Sequence, residues 1–235
     1  MGGAGEATVS APRTFDLSVA SVRELNAALH RDDVVDCRVV EPGGRHAVAV
    51  GMRAPVSVEI DGHVGYYCAG MNKQATVRVH GNCGVGVAEN MMSGTVVVEG
   101  DASQSAGATA RGGLLSIEGN ASARCGISLK GADVVVRGSV GHMSAFMAQR
   151  GRLVVCGDAG HALGDSIYEA RLYVRGEVAS LGADCVEKEL RDEHRTELAA
   201  LLARAGIDDV SPDELRRYGS ARRLYNFDVD DAGEY

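Results

Sequence analysis

The sequence predicts an all-β solenoid: a right-handed parallel β-helix of about seven nineteen-residue coils, with a capping helix before it and helices after it. Three observations predict it. Glycines recur at Gly62, Gly81, Gly100, Gly119, Gly138, Gly157 and Gly176, each nineteen residues after the last. Aliphatic residues stand two before each glycine (Ile60, Val79, Val98, Ile117, Val136, Val155, Val174) and four before it (Val58, Val77, Val96, Leu115, Val134, Leu153, Leu172). A polar residue follows each glycine (His63, Asn82, Asp101, Asn120, Ser139, Asp158, Glu177), and small residues stand three and seven after it.

A fixed period of this size marks a repeat fold in which each unit buries its apolar face only against its neighbours. Aliphatic residues spaced by two, mostly β-branched, describe a strand. Glycine followed by a short polar residue ends it, through tolerance of positive φ and side-chain bonding to local backbone. One strand per coil, stacked in register, gives a parallel sheet rising about 4.8 Å per coil. The leucine ladder of leucine-rich repeats is absent. Left-handed hexapeptide helices carry three aliphatic positions per coil, whereas here one strand per coil is clear, which favours the right-handed form.

Three segments follow from the pattern: 1–55, with a capping helix and an imperfect first coil; 56–185, the repeat; and 186–235, a helical extension and tail. In the first, Ser21 and Glu24 have capping-box spacing, and Val22, Leu25 and Leu29 share a helix face suited to covering the open end of a solenoid. Apolar runs over 34–55 resemble a coil whose columns fit poorly. After the repeat, 186–205 reads as a helix with Val186, Leu190, Leu198, Leu201 and Leu202 apolar and Gly206 as its C-cap. Ser211-Pro212-Asp213-Glu214 starts a second short helix. The tail from Arg222, with Leu224, Tyr225 and Phe227, reads either as a packed terminus or as a partner-docking arm.

The chain of 235 residues carries a formal charge of −8, so nucleic acid and anionic membranes are not expected partners. No apolar run approaches a membrane span and no signal-peptide pattern is present, so a cytoplasmic protein is expected. The six cysteines lack any C-x-x-C spacing and read as reduced core thiols. Gly81-Asn82-Cys83-Gly84-Val85-Gly86 superficially suggests a nucleotide loop, but its glycines belong to the repeat and no helix follows. His142 with Ser144, and Cys156 with His161, do not make a convergent ligand or nucleophile set. No catalytic, cofactor-binding or metal-binding residue is therefore assigned. One edge, eight to eleven residues after each glycine, does suggest recognition: Met71, Lys73, Met91, Met92, Arg111, Phe146, Met147 and Tyr168, with Tyr225 and Phe227 from the tail. Alternate members of that edge pointing into the core is the competing reading.

The runs Gly65-Tyr66-Tyr67-Cys68-Ala69-Gly70-Met71-Asn72-Lys73 and Gly84-Val85-Gly86-Val87-Ala88-Glu89-Asn90-Met91-Met92-Ser93-Gly94 resemble the GXGXG domain that closes the large subunit of glutamate synthase. The same right-handed β-helix occurs in a subunit of formylmethanofuran dehydrogenase. A chain that opens with Phe15-Asp16-Leu17 and ends with Tyr218-Gly219-Ser220-Ala221-Arg222 and Leu224-Tyr225-Asn226-Phe227 most resembles the small β-helical subunit of N-methylglutamate synthase. The resemblance implies a non-catalytic scaffold between an amidotransferase-like subunit and a synthase subunit that carries FMN and an iron–sulfur cluster. It implies a complex converting methylamine and glutamate to N-methylglutamate and ammonia. A glutamine-dependent glutamate synthase-like complex is the alternative, and a structural solenoid without an enzyme partner is another.

Overall fold

The computed structural model describes residues 13–31 and 33–222. Along the chain come β1 (Arg13–Asp16), α1 (Val22–Leu29), β2 (Asp36–Val40), β3 (Ser57–Asp61), β4 (Thr76–Val79), β5 (Thr95–Val98), β6 (Leu114–Ile117), β7 (Lys130–Val136), β8 (Arg150–Val155), β9 (Arg171–Val174), β10 (Cys185–Lys188), α2 (Asp192–Arg204), a 3₁₀ turn (Pro212–Glu214) and β11 (Arg216–Ser220). All eleven strands form one sheet in the order β1 to β9, then β11, then β10. From β3 to β9 each strand pairs in parallel with the next, and the aliphatic column runs unbroken: Val58, Val77, Val96, Leu115, Val134, Leu153, Leu172. The β-solenoid predicted by the period is the observed fold.

Segment 34–55 is a full coil. β2 pairs with β3 through Cys37 and Val58, a spacing of twenty-one residues, which is why its columns looked out of step. β1 then adds in parallel outside β2.

The glycines hold the stack for a different reason from the one the pattern suggested. Of the seven, only Gly62 has a positive φ. At Gly138 an added Cβ would fall 2.6 Å from the Gly119 carbonyl oxygen, and at Gly157 2.7 Å from that of Gly138. The column is bare because successive coils touch backbone to backbone there. The amide of each of Gly100, Gly119, Gly138, Gly157 and Gly176 donates to the carbonyl of the glycine below.

Positive φ recurs elsewhere, at the positions five, seven and nine after each glycine from Gly62 to Gly157. In the Gly62 coil these are Tyr67, Ala69 and Met71; in the Gly119 coil, Arg124, Gly126 and Ser128; in the Gly138 coil, Met143, Ala145 and Met147. A left-handed residue costs about 1–2 kcal/mol. Stacking offsets that cost, because the alternation turns successive amides up and down. Met143 N donates to His161 O above, Ala145 N to Cys125 O below, and Met147 N to Asp165 O above. This wall is hydrogen-bonded to the coils on both sides, without being a β-sheet.

Both ends are closed. Leu17, Leu25 and Leu29 are fully buried against the first coil. From α1, the Asn26 side-chain amide donates to Ala47 O at 2.8 Å, and His30 Nε2 lies 3.0 Å from Val50 O. These satisfy carbonyls that have no coil beneath them. The Ser21–Glu24 capping box is present in both directions. At the other end β11 inserts antiparallel between β9 and β10, which stops further parallel addition.

The C-terminal reading needs one correction. Residues 185–188 are strand β10 rather than helix, and α2 begins only at Asp192. Val186 is consequently exposed at the sheet edge. The end of the helix is as expected: Gly206, at φ +74, follows the cap residue Ala205. Gly206 N bonds Ala203 O and Ile207 N bonds Leu202 O, a Schellman closure. Leu198, Leu201 and Leu202 pack on the outward face of the sheet against Val135, Val154 and Tyr173. The same outward column in earlier coils holds Glu59 and Arg78, which stay uncovered. Beneath α2, the buried carboxylate of Asp133 takes Arg152 Nε at 2.6 Å and Arg204 Nη1 at 3.0 Å, tying helix to sheet.

Candidate functional site

Register puts the recognition edge together. Lys73, Met92, Arg111, Lys130, Gln149 and Tyr168 stand eleven residues after successive glycines, and each amide from Lys73 to Tyr168 donates to the coil below. Two residues before this column stand Met71 and Met147. Met71 is 44% exposed, Met92 41% and Met147 40%, large fractions for methionines whose own amides are bonded to neighbouring coils. Lys73 and Arg111 are also exposed, while Phe146 and Tyr168 are half-buried.

Met91 is different. It stands ten after its glycine, in the inward column with Ala110, Leu129, Ala148 and Ile167, and is fully buried. It belongs to the core and not to the surface of this chain, because alternate residues of the edge point inward. Tyr225 and Phe227 lie outside the described residues. A second exposed apolar position was missed: Tyr66 and Val85, four after their glycines, are 53% and 48% exposed. Tyr66 stacks on the His46 ring at 4.0 Å between centroids. The signal was available as the column Tyr66, Val85, Gln104, Ala123, which follows a small residue in every coil.

The polar groups that suggest chemistry are committed to the frame. His63 Nδ1 accepts the Asn82 amide at 2.9 Å, Asn82 Oδ1 that of Asp101 at 2.8 Å, and Asp101 Oδ1 that of Asn120 at 2.7 Å. Asn120, Ser139 and Asp158 continue the ladder to Glu177. Each side chain thus satisfies the turn of the next coil. Ser144 donates to Gly141 O, and His161 Nδ1 meets not Cys156 but Ser180 Oγ at 3.3 Å, an oxygen that also accepts the Ala162 amide and so ties one coil to the next.

All six cysteines are free and buried. Burial pushes the Cys37, Cys156 and Cys185 thiols up to about 11 and Cys125 to about 12. The Cys68 thiol beside it, together with burial, pushes Cys83 up as well. These five therefore stay thiols near neutral pH, and the thiolate is the form that attacks or ligates. Among the described residues no group of three or more His, Cys, Asp or Glu is placed to hold a metal ion. Among them, too, no helix is long and apolar enough to cross a membrane.

No family model matches the chain. It is 62% identical over 225 residues to Protein GlxC of Rhizobium meliloti (strain 1021), a match that takes in 94% of this chain and 99% of that protein. Identity at that level across essentially the full length of both, with the repeat intact, means that this chain belongs to the GlxC family.

Proposed function

We propose that this chain is the non-catalytic β-helical subunit of a glutamate synthase-like enzyme, N-methylglutamate synthase. In this reading it holds an amidotransferase-like subunit and an FMN- and iron–sulfur-bearing synthase subunit at fixed separation, while the complex converts methylamine and glutamate to N-methylglutamate and ammonia. The observation that carries the reading is the edge bearing Met71, Met92 and Met147, apolar side chains held outward on a frame with no slack. The resemblance of the 65–73 and 84–94 runs to the GXGXG domain supplies the kind of partner. The chain's own thiols, buried and never more than two together, suit packing rather than cluster ligation, in keeping with a cluster carried by the synthase subunit.

Rigidity is then the contribution. Two active centres held at constant separation pass a reactive amine between them with less loss to water. The inward columns fill the interior with Val, Ile, Leu, Ala and Cys side chains, so in this reading the amine travels along an interface of the solenoid.

A native pull-down from the source cells tests the proposal. The expected outcome is two larger partners, flavin absorbance, and methylamine-dependent N-methylglutamate formation. Formation of glutamate from glutamine and 2-oxoglutarate by the same assembly would move the scaffold to a glutamate synthase reaction. A colourless assembly of this chain alone would overturn it.

A further inference from the structure

Although the chain is acidic overall, one groove beside α2 is strongly basic. It has a volume of about 770 Å³ and lies between the starts of β8 and β9, the β10–β11 hairpin and the first turn of α2. Seven cationic side chains line it, against three carboxylates. Part of that charge is neutralised in place: Glu197 takes Arg152 Nη1 and Arg171 Nη1, each at 2.6 Å. Arg191 pairs with Glu189, and Arg222 with Asp184.

Among the described residues Arg150, Lys188 and Arg217 have no carboxylate partner. Arg217 Nη1 donates to Glu189 O at 3.1 Å, but its buried Nε has no acceptor among the described residues. Across the β9–β11 pairing it faces Tyr173, whose fully buried hydroxyl also lacks a partner. Two of the three unpartnered buried side-chain polar atoms among the described residues thus meet at one cross-strand pair under this groove. Burial, with Arg171 and Arg191 close by, holds the Arg217 guanidinium below its usual value.

His194 adds a further donor. It lines the groove, is 3% exposed, and its Nδ1 accepts the Arg191 amide at 3.1 Å. Burial, then the neighbouring Arg217 and Arg171, lower its pKa, so the ring is neutral with its proton on Nε2. That nitrogen makes no hydrogen bond among the described residues; a carboxylate oxygen of Glu193 lies 3.6 Å away. Unmatched donors and unneutralised charge of this kind are costly unless an anion completes them.

We propose that this groove binds a small polyanion carrying two or more carboxylate or phosphate groups, with Arg150, Lys188 and Arg217 supplying the charge and His194 Nε2–H a directed donor. The volume is in the range of small-molecule sites, and the guanidinium fork matches either oxyanion. Glu197 is a positioning residue, holding Arg152 and Arg171 in place. The inference is independent of the proposed partners, because every group named belongs to this chain.

Calorimetric titration of the purified full chain at low salt tests it, with citrate and pyrophosphate as probes and acetate as the single-charge control. Binding of citrate or pyrophosphate at least tenfold tighter than acetate is expected, and which of the two binds tighter tells carboxylate from phosphate chemistry. Arg217→Gln is expected to weaken binding at least tenfold. Lys188→Gln, which changes a side chain with no hydrogen bond to the described residues, is expected to weaken it severalfold, and Arg45→Gln, on the first coil, not at all. Polyanion binding no tighter than acetate, or Lys188→Gln and Arg217→Gln variants that bind like the parent, would overturn the proposal.

Discussion

One methyl group at Gly119 would put a carbon 2.7 Å from the Gly100 carbonyl oxygen and 2.8 Å from its carbonyl carbon. Backbone cannot retreat there without parting two coils. Gly119→Ala is therefore expected to cost roughly 3 kcal/mol, the upper part of the range for overpacking. Gly126→Ala meets nothing within 4 Å, and Ala145 holds the equivalent backbone conformation at φ +57. It should cost about 1 kcal/mol. Urea unfolding of the two variants orders them; equal losses would sink the stacking account. His80 provides a pH signature. Its Nδ1 lies 2.9 Å from Glu99 and its Nε2 2.6 Å from Glu59, on adjacent coils. The Glu99 hydrogen bond chiefly, and Glu59 after it, raise the imidazole above its ordinary 6.5. Its stabilisation is complete below 6.5 and is lost as pH rises through the raised value. Unfolding midpoints compared for His80→Gln and parent should converge on the alkaline side; a gap independent of pH would refute this. At this scale the sequence reading located the glycines and misjudged their cause. Left-handed positions were not legible at all, since Tyr67, Arg124 and Met147 carry no local sign of positive φ. Only hydrogen bonds to neighbouring coils select it.

Elements with local end signals were readable in advance. The Ser21–Glu24 box starts α1, Ser211 with Glu214 frames the 3₁₀ turn, and Gly206 ends α2. Ser21→Ala is expected to cost about 1 kcal/mol. Because α1 closes the first coil through Asn26 and His30, hydrogen exchange of the coil amides next to Ala47 and Val50 should accelerate along with it. Exchange speeding up in α1 alone would show that helix and coil open separately. The β10–β11 hairpin was not readable, because Cys185 pairs with Ser220 and Lys188 with Arg217 across α2, with neither period nor turn residue to announce it. The cover over the sheet left a trace that went unread: the outward column passes from Glu59 and Arg78 to Val135, Val154 and Tyr173 where α2 lies. The groove arginines were hidden by the same dispersion. Arg152 and Arg171 are one repeat apart, but Arg217 and Lys188 reach them only through the hairpin.

At the scale of the molecule, the apolar edge and the basic groove adjoin on one frame, with Tyr168 at their border. The edge can be tested without touching the core, since Met71, Met92 and Met147 are all substantially exposed. Changing all three to serine is expected to leave the thermal midpoint of this chain unmoved. The same change should weaken partner capture by more than tenfold, given about 1.5 kcal/mol or more for each large apolar side chain buried. A drop in the midpoint with capture unchanged would place these residues in folding instead.

Each coil is also bonded to the coil above and the coil below, and the edge columns repeat once per coil. Length in this architecture is therefore counted in whole steps. Gain or loss of one nineteen-residue repeat moves whatever is docked near α1 relative to whatever is docked near β10 by about 4.8 Å, with the remaining columns still in line. A gene lineage adjusting the gap between two bound proteins has, in this chain, a scale graduated in codons.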